Sequence, residues 1–146
     1  MFDMLIADLL KHKGSSVYTI APAESITGLL AALAEHRVGA LVVVDGDDIV
    51  GIISERDVVR SLHQGGAVIL EAEVSELMTS PVVSCSPEDP IDQIAGLMTE
   101  RRFRHMPVVT DGKLSGIVTI GDVVAARIRQ LEFDRQHLEH YIAQGA

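Results

Sequence analysis

The residues best suited by type and spacing to do chemistry in this 146-residue chain are a hydroxyl and a carboxylate three positions apart, and the pair occurs twice. One pair stands in Gly51-Ile-Ile-Ser54-Glu-Arg-Asp57, the other in Gly116-Ile-Val-Thr119-Ile-Gly-Asp122. In each, an aliphatic run ends on the hydroxyl residue and a helical pattern begins. A helix start presents unpaired backbone N–H groups and the positive end of the helix dipole, so it attracts phosphate; Ser54 or Thr119 can donate one more bond to a phosphate oxygen. Asp57 and Asp122 cannot favour phosphate. The ligand groups that suit them are neutral donors, such as a pair of sugar hydroxyls. The same residues can equally serve the helix alone, as a Ser/Thr-x-x-Asp capping box. Duplication does not choose between the two readings, because a repeat duplicates its caps as well.

The elements that position these residues form an internal repeat. Residues 22–59 align with 87–124 at a constant offset of 65, and eleven of the 38 positions are identical. Chance would give roughly two or three at ordinary composition. Each copy opens on a β-prone stretch, Val17 to Ile20 or Val82 to Cys85, closed by Pro22 or Pro87. A helical pattern follows, with apolar residues at Ile26, Leu29, Leu30 and Leu33 in copy one and at Ile91, Ile94, Ala95 and Met98 in copy two. Aliphatic runs then flank a turn containing Asp and Gly: Ala40 to Val44 and Ile49 to Ile53, then Met106 to Val109 and Leu114 to Val118. That is the pattern of a hairpin. A second helix starts at Ser54 or Thr119; the first stops near Gly65-Gly66 and the second runs on past Leu138. The predicted fold class is α+β, two β-α-β-β-α units packed about a pseudo-twofold axis, with function sought in the cleft between them. The predicted division is an N-terminal helix over residues 1–13, a first repeat with its connector over 14–76, a second repeat over 77–132 and a helical extension over 133–146. The N-terminal helix has no counterpart in the repeat on this reading. It and the end of the last helix are expected to flank a dimer contact, away from any ligand, and the run Glu71 to Glu76 reads as a solvated linker.

With motif, order and duplication in agreement, and with His105-Met-Pro-Val-Val109 upstream of the second motif, the chain resembles a stand-alone tandem pair of CBS domains, the regulatory module named for cystathionine β-synthase. The likeness covers about residues 15 to 132. It implies adenine-nucleotide binding, with AMP, ATP or NAD in the cleft between the copies, and no catalysis. On that resemblance Asp57 and Asp122 hold ribose hydroxyls, and Ser54 and Thr119 touch phosphate. Gly39-Ala40 and Arg104-His105 line the pockets ahead of the second strands, and Thr19 and Ser84 lie near the first strands. The pockets are unequal: the neutral Gly39-Ala40 stands opposite Arg104-His105, Val42 opposite Pro107, and Arg56, which supplies phosphate charge to the first pocket, opposite Gly121. The family's modules also pair side by side, so a homodimer is expected. The competing reading is a structural module that binds a protein partner and no physiological nucleotide.

Composition narrows the alternatives. Apolar residues are 47% of the chain and aromatics 3%, with no Trp, so the core is aliphatic. The net charge of −9 argues against a nucleic-acid backbone as partner. No apolar run approaches the roughly 18 residues of a membrane span. The single Cys85 allows no intrachain disulfide, and the first residues carry an early Asp and no basic stretch, so a cytoplasmic protein is expected. His137 and His140 have metal-compatible spacing but read as a solvated helix face, and Cys85 as a small buried residue. No metal or resident cofactor is expected, and no enzyme motif appears. The downstream target and the choice among nucleotides are not written in the residues.

Overall fold

The computed structural model describes residues 4–145. In chain order the elements are α1 (Ile6–Lys13), β1 (Thr19–Ile20), α2 (Ile26–His36), β2 (Ala40–Asp45), β3 (Asp48–Ser54), α3 (Glu55–Gly65), a 3-10 turn (Ala67–Glu71), α4 (Val74–Leu77), α5 (Ile91–Arg101), β4 (His105–Thr110), β5 (Lys113–Thr119) and α6 (Ile120–Gly145). The chain forms two compact units. One holds Ser16–Val83 with Asp111–Ser115; the other holds the described residues up to Ser15, Ser84–Thr110 and the described residues from Gly116 onward.

In the first unit, β1 runs parallel to β2, with Thr19 opposite Val42, and β2 runs antiparallel to β3, with Ala40 opposite Ser54 and Leu41 opposite Ile53. The parallel pair is joined through α2, as a strand-helix-strand connection requires. Ser25 caps α2 by accepting from the Gly28 amide at 3.0 Å. The helix buries Ile26, Leu29 and Leu33 against Ile20, Leu41, Val43, Ile53, Val58 and Val74. Leu30, counted on the apolar face by spacing, is instead 37% exposed. Tyr18, just before β1, and His36, the last residue of α2, stack with ring centroids 3.8 Å apart.

The two hairpin turns differ in the way their residues demand. Gly46 alone has positive φ in the first, whereas Asp111 and Gly112 both do in the second. Those are the signatures of a Gly-first turn and of an Asp-Gly turn with two left-handed residues. In the second unit, α5 buries Ile91, Ile94 and Met98, β4 buries Met106 and Val108, and α6 buries Val123 and Ala126. The expected strand over Val82 to Cys85 reduces to one bridge, Cys85 to Val108, with Cys85 N donating to the Pro107 carbonyl at 2.9 Å. Pro107 has no N–H to extend the ladder upstream, where Val42 of copy one has one.

The N-terminal helix corrects the sequence reading, because it does have a counterpart. Ile6 N donates to the Asp89 carbonyl and Ala7 N to that of Pro87, while Ile91 N donates to the Met4 carbonyl, all at 2.9 Å. In the first unit, Val74 N donates to Glu24, Ser75 N to Pro22, and Ile26 N to Ala72, at 2.8 to 3.0 Å. The pattern is the same with residues 4–7 standing where 72–75 stand. Asp8 accepts from the Leu5 amide as Glu76 does from that of Glu73. Ile6 and Val74 are both fully buried. So the segment Glu71 to Glu76 is not a solvated linker: α4 closes the first repeat as α1 closes the second.

The glycines of the two motifs follow from this packing. A Cβ on Gly51 would fall inside the contact shell of Met78 Sδ and 3.1 Å from the Thr79 carbonyl oxygen; one on Gly116 would stand 3.1 Å from Leu10 Cδ2. The backbone carbonyl cannot yield as a leucine methyl can. Gly51→Ala should therefore cost about 1–3 kcal/mol by overpacking, and Gly116→Ala clearly less. Urea unfolding of both variants checks the order, and equal or reversed losses contradict the packing account.

Candidate functional site

Each hydroxyl–carboxylate pair is built at a strand-to-helix junction. In copy one, Ile53 is fully buried in the core, which leaves Ser54 as the first residue free to turn out of the strand. Ser54 sits in extended backbone (φ −127, ψ 166) and caps α3. The Ser54 amide donates to Asp57 Oδ2 at 2.8 Å, its hydroxyl donates to the same oxygen at 3.0 Å, and the Asp57 amide reaches Ser54 Oγ at 3.4 Å. Copy two repeats this: Thr119 N to Asp122 Oδ2 at 2.9 Å and Asp122 N to Thr119 Oγ1 at 3.0 Å. The capping box is thus real in both copies. It does not exhaust the carboxylates. Both caps use Oδ2, and a carboxylate has two oxygens and about four lone-pair sites, so a diol can still be accepted.

Of the other predicted residues, Gly39 and Arg104 are tied by their carbonyls to the helix start of their own copy, and no such bond places Thr19 or Ser84 there. The Gly39 carbonyl accepts from Glu55 N at 3.0 Å, and the Arg104 carbonyl accepts from Ile120 N at 2.9 Å. Each binds the first helical residue after the cap, so Gly39-Ala40 is fixed beside Ser54 and Arg104-His105 beside Thr119. Ala40 is buried opposite Ser54, His105 is half-buried at the start of β4, and Thr19 is exposed on β1. Arg56 is exposed on the first turn of α3, in a shallow depression with Glu55, Val59 and Arg60. Ser84 precedes Cys85, whose thiol is pushed up to about 12 by burial and then by Asp89. Such a thiol is protonated and unreactive at neutral pH.

Sequence reasoning missed Lys13. The last residue of α1 donates from Nζ to the Ile117 carbonyl at 2.9 Å and forms an ion pair with Asp122 Oδ2. In copy one the equivalent carbonyl, that of Ile52, accepts from the Thr79 amide at 2.8 Å. An ammonium therefore does in copy two what a backbone N–H does in copy one. α1 is also not remote from the candidate site, contrary to expectation. Its signal in the sequence was the basic run Lys11-His12-Lys13 at a helix end, which suits the helix dipole and so drew no further reading. Among the described residues no group of three or more His, Cys, Asp or Glu could hold a metal, and no helix is long and apolar enough to cross a membrane.

Burial acts to raise the Asp122 carboxyl, but the Lys13 hydrogen bond, the Thr119 amide and the charge of Lys13 outweigh it and hold the group below the ordinary carboxylate range. A carboxyl depressed in the folded chain adds stability above its unfolded value, about pH 3.9, and loses that contribution as pH falls through the folded value. Urea unfolding of the wild type and Asp122→Asn should differ at about pH 6 and converge as the pH falls below the ordinary carboxylate range. A gap independent of pH would show that the ion pair adds nothing to folding.

A model of the CBS domain matches residues 6–64 and again 74–129. The two matches start on α1 and α4. The chain is 33% identical over 149 residues to the CBS domain-containing protein CBSX3, mitochondrial, of Arabidopsis thaliana, covering 96% of this chain and 72% of that protein. It is 31% identical over 110 residues to the CBS domain-containing protein YhcV of Bacillus subtilis, covering 75% of this chain and 77% of that one. Among solved structures, the CBS-domain containing protein ATU1752 from Agrobacterium tumefaciens superposes with a TM-score of 0.82 at 43% identity, over 85% of this chain and 99% of the other. The CBS domain pair of protein MJ0100, in complex with 5'-methylthioadenosine and S-adenosyl-L-methionine, superposes with a TM-score of 0.78 at 27% identity, over 88% and 99%.

Proposed function

The chain belongs to the CBS-domain family, and we propose that it is a non-catalytic regulatory module that binds adenosine-containing ligands, AMP, ATP or NAD among them, at the hydroxyl–carboxylate helix starts of its two copies. The observation that carries this reading is the pair Asp57 and Asp122, each a carboxylate held at a helix start by the same bonds. The two ligands named for the MJ0100 domain pair share with AMP, ATP and NAD an adenosine with a vicinal ribose diol, and they lack phosphate. A carboxylate recognises that common part. Ser54, Thr119 and the helix-start amides, with Arg56, Arg104 and His105 nearby, supply donors and charge for ligands that do carry phosphate. Gly39, Ala40 and Thr19 complete the proposed surroundings with small side chains that permit close approach.

Titration calorimetry with adenosine, AMP, ATP, NAD, 5'-methylthioadenosine and S-adenosylmethionine tests the proposal. Loss of the diol acceptor in Asp57→Ala or Asp122→Ala should weaken binding of adenosine compounds about ten- to hundred-fold, roughly 1.5–3 kcal/mol, at one copy per variant. Loss of the cap alone costs about 0.5–2 kcal/mol of stability. Variants that melt earlier yet bind every compound as the wild type does would leave the motifs as caps.

A second reading, in which the module also engages a protein, is favoured by an uncovered apolar stripe on α6. Val124, Ile128, Leu131, Leu138 and Ile142 recur on one helix face and are 49 to 60% exposed. Val59, the copy-one equivalent of Val124, is 66% exposed on α3. The partner proposed is a second copy of the chain. Light scattering at micromolar concentration should give twice the 15.7 kDa chain mass, and Ile128→Glu with Leu131→Glu should give the monomer. A wild-type monomer contradicts the pairing.

A further inference from the structure

The two motifs carry the same hydroxyl and the same carboxylate, yet they are not in the same electrostatic state. Asp57 Oδ2 is bonded by the Ser54 amide and hydroxyl of its own cap. Asp122 Oδ2 is bonded by the Thr119 amide and by the Lys13 ammonium from α1. The Lys13 and Asp122 side chains are both 27% exposed, so the pair sits at the surface of its unit, reachable by solvent and by a solute. Lys13 is also anchored a second time, on the Ile117 carbonyl. That carbonyl is the one that copy one satisfies with a backbone amide, so the ammonium has a structural place to rest beside the carboxylate rather than a chance encounter with it. The chain leaves α1 at Gly14, whose φ of 98 is a glycine conformation, immediately after the lysine.

A vicinal diol binds a carboxylate by donating two hydrogen bonds. An ammonium on the same group donates charge-assisted bonds, which are stronger. Lys13 binds Oδ2, the oxygen the cap also uses, and leaves Oδ1 open; its charge still draws on the carboxylate that a diol must use, whereas among the described residues Asp57 forms no ion pair. We propose that Lys13 is a tethered cation that weakens the second copy's diol acceptor by sharing its charge, so that the first copy fills at lower ligand concentration and the second at higher. This rests on the reading of Asp57 and Asp122 as diol-binding carboxylates. The ion pair is partly exposed, so its effect on the acceptor is modest. Lys13 thus spaces two affinities apart without abolishing the weaker one, and a module with two spaced affinities responds over a wider range of ligand concentration than one with two equal ones.

Adenosine is the probe, because it has the diol and no phosphate for an ammonium to attract. Each copy is isolated by disabling the other: Asp57→Asn leaves the second motif, Asp122→Asn the first. In the Asp57→Asn chain, adding Lys13→Met should tighten adenosine about two- to five-fold. In the Asp122→Asn chain the same change should leave affinity where it was, which confines the effect to one copy. Lys13→Gln, which keeps a donor for the Ile117 carbonyl but no charge, should reproduce the gain, and it serves as the folded variant should Lys13→Met melt early. Lys11→Met, a loss of the same charge from an exposed position on the same helix, should change nothing. Unchanged or weaker adenosine binding in Asp57→Asn with Lys13→Met overturns the lock while wild-type binding keeps the diol reading intact. Absence of adenosine binding to the wild type and to every variant overturns the diol reading, and the lock with it.

Discussion

Three main-chain hydrogen bonds fix the approach to the first helix of each copy, and their partners come from outside the copy's own β-α-β-β-α sequence. Val74 and Ser75 hold the turn at Pro22 and Glu24, and Ile6 and Ala7 hold the turn at Pro87 and Asp89. These bonds are short, directional and shielded by fully buried Val74 and Ile6, so leaving them unmade would strand backbone groups away from water. The remaining features lean on this. The closing segment comes near enough to the second hairpin strand that the contact is made at a glycine, strictly at Gly51 against the Thr79 backbone and with more give at Gly116 against the Leu10 side chain. Once that glycine is passed, the strand goes on to a buried Ile53 or Val118 and releases Ser54 or Thr119 into the cap.

Much of this was legible from residue types. The repeat gave the element order, the Asp-Gly turns gave the hairpins, and the hydroxyl–carboxylate spacing gave the two caps. What escaped did so for physical reasons. The correspondence of Leu5-Ile-Ala-Asp-Leu-Leu10 with Glu73-Val-Ser-Glu-Leu-Met78 is visible only at an offset of 68, not 65, and without identity at most positions; a four-residue helix such as α4 also has too little periodicity to announce itself. The strand over Val82 to Cys85 was misread because propensity ignores its neighbour: the missing amide belongs to Pro107, more than twenty residues away. The Lys13–Asp122 contact joins residues over a hundred positions apart, and no local pattern encodes such a pairing.

The unequal electrostatics of the two copies follow from a small difference in how the closing segments end. α4 stops at Leu77, and the chain straightens so that Thr79 pairs with Ile52 through both amide and carbonyl. α1 continues to Lys13, so at the equivalent place there is helix, and a side chain must reach where a backbone group reached before. A helix longer by little more than a turn thus exchanges a neutral amide for a cation beside a carboxylate. The two copies share their hairpin, their caps and their closing bonds, and beside the acid they diverge in the group that the closing segment supplies.

Covalent order and spatial membership do not coincide in this chain. The segment that begins the chain completes the later copy, and the connector between the copies completes the earlier one. A gene fragment cut at the apparent repeat boundary would encode Ser16–Val83 without the Asp111–Ser115 turn that belongs to the same compact unit. The fragment beginning at Ser84 would lack Ile6 and Leu9, two side chains at most 1% exposed, and with them the helix that seals its core. The two halves are therefore not interchangeable modules to be excised, shuffled or fused one at a time. In recombination, in limited proteolysis and in the design of chimaeras, the chain is heritable as a pair.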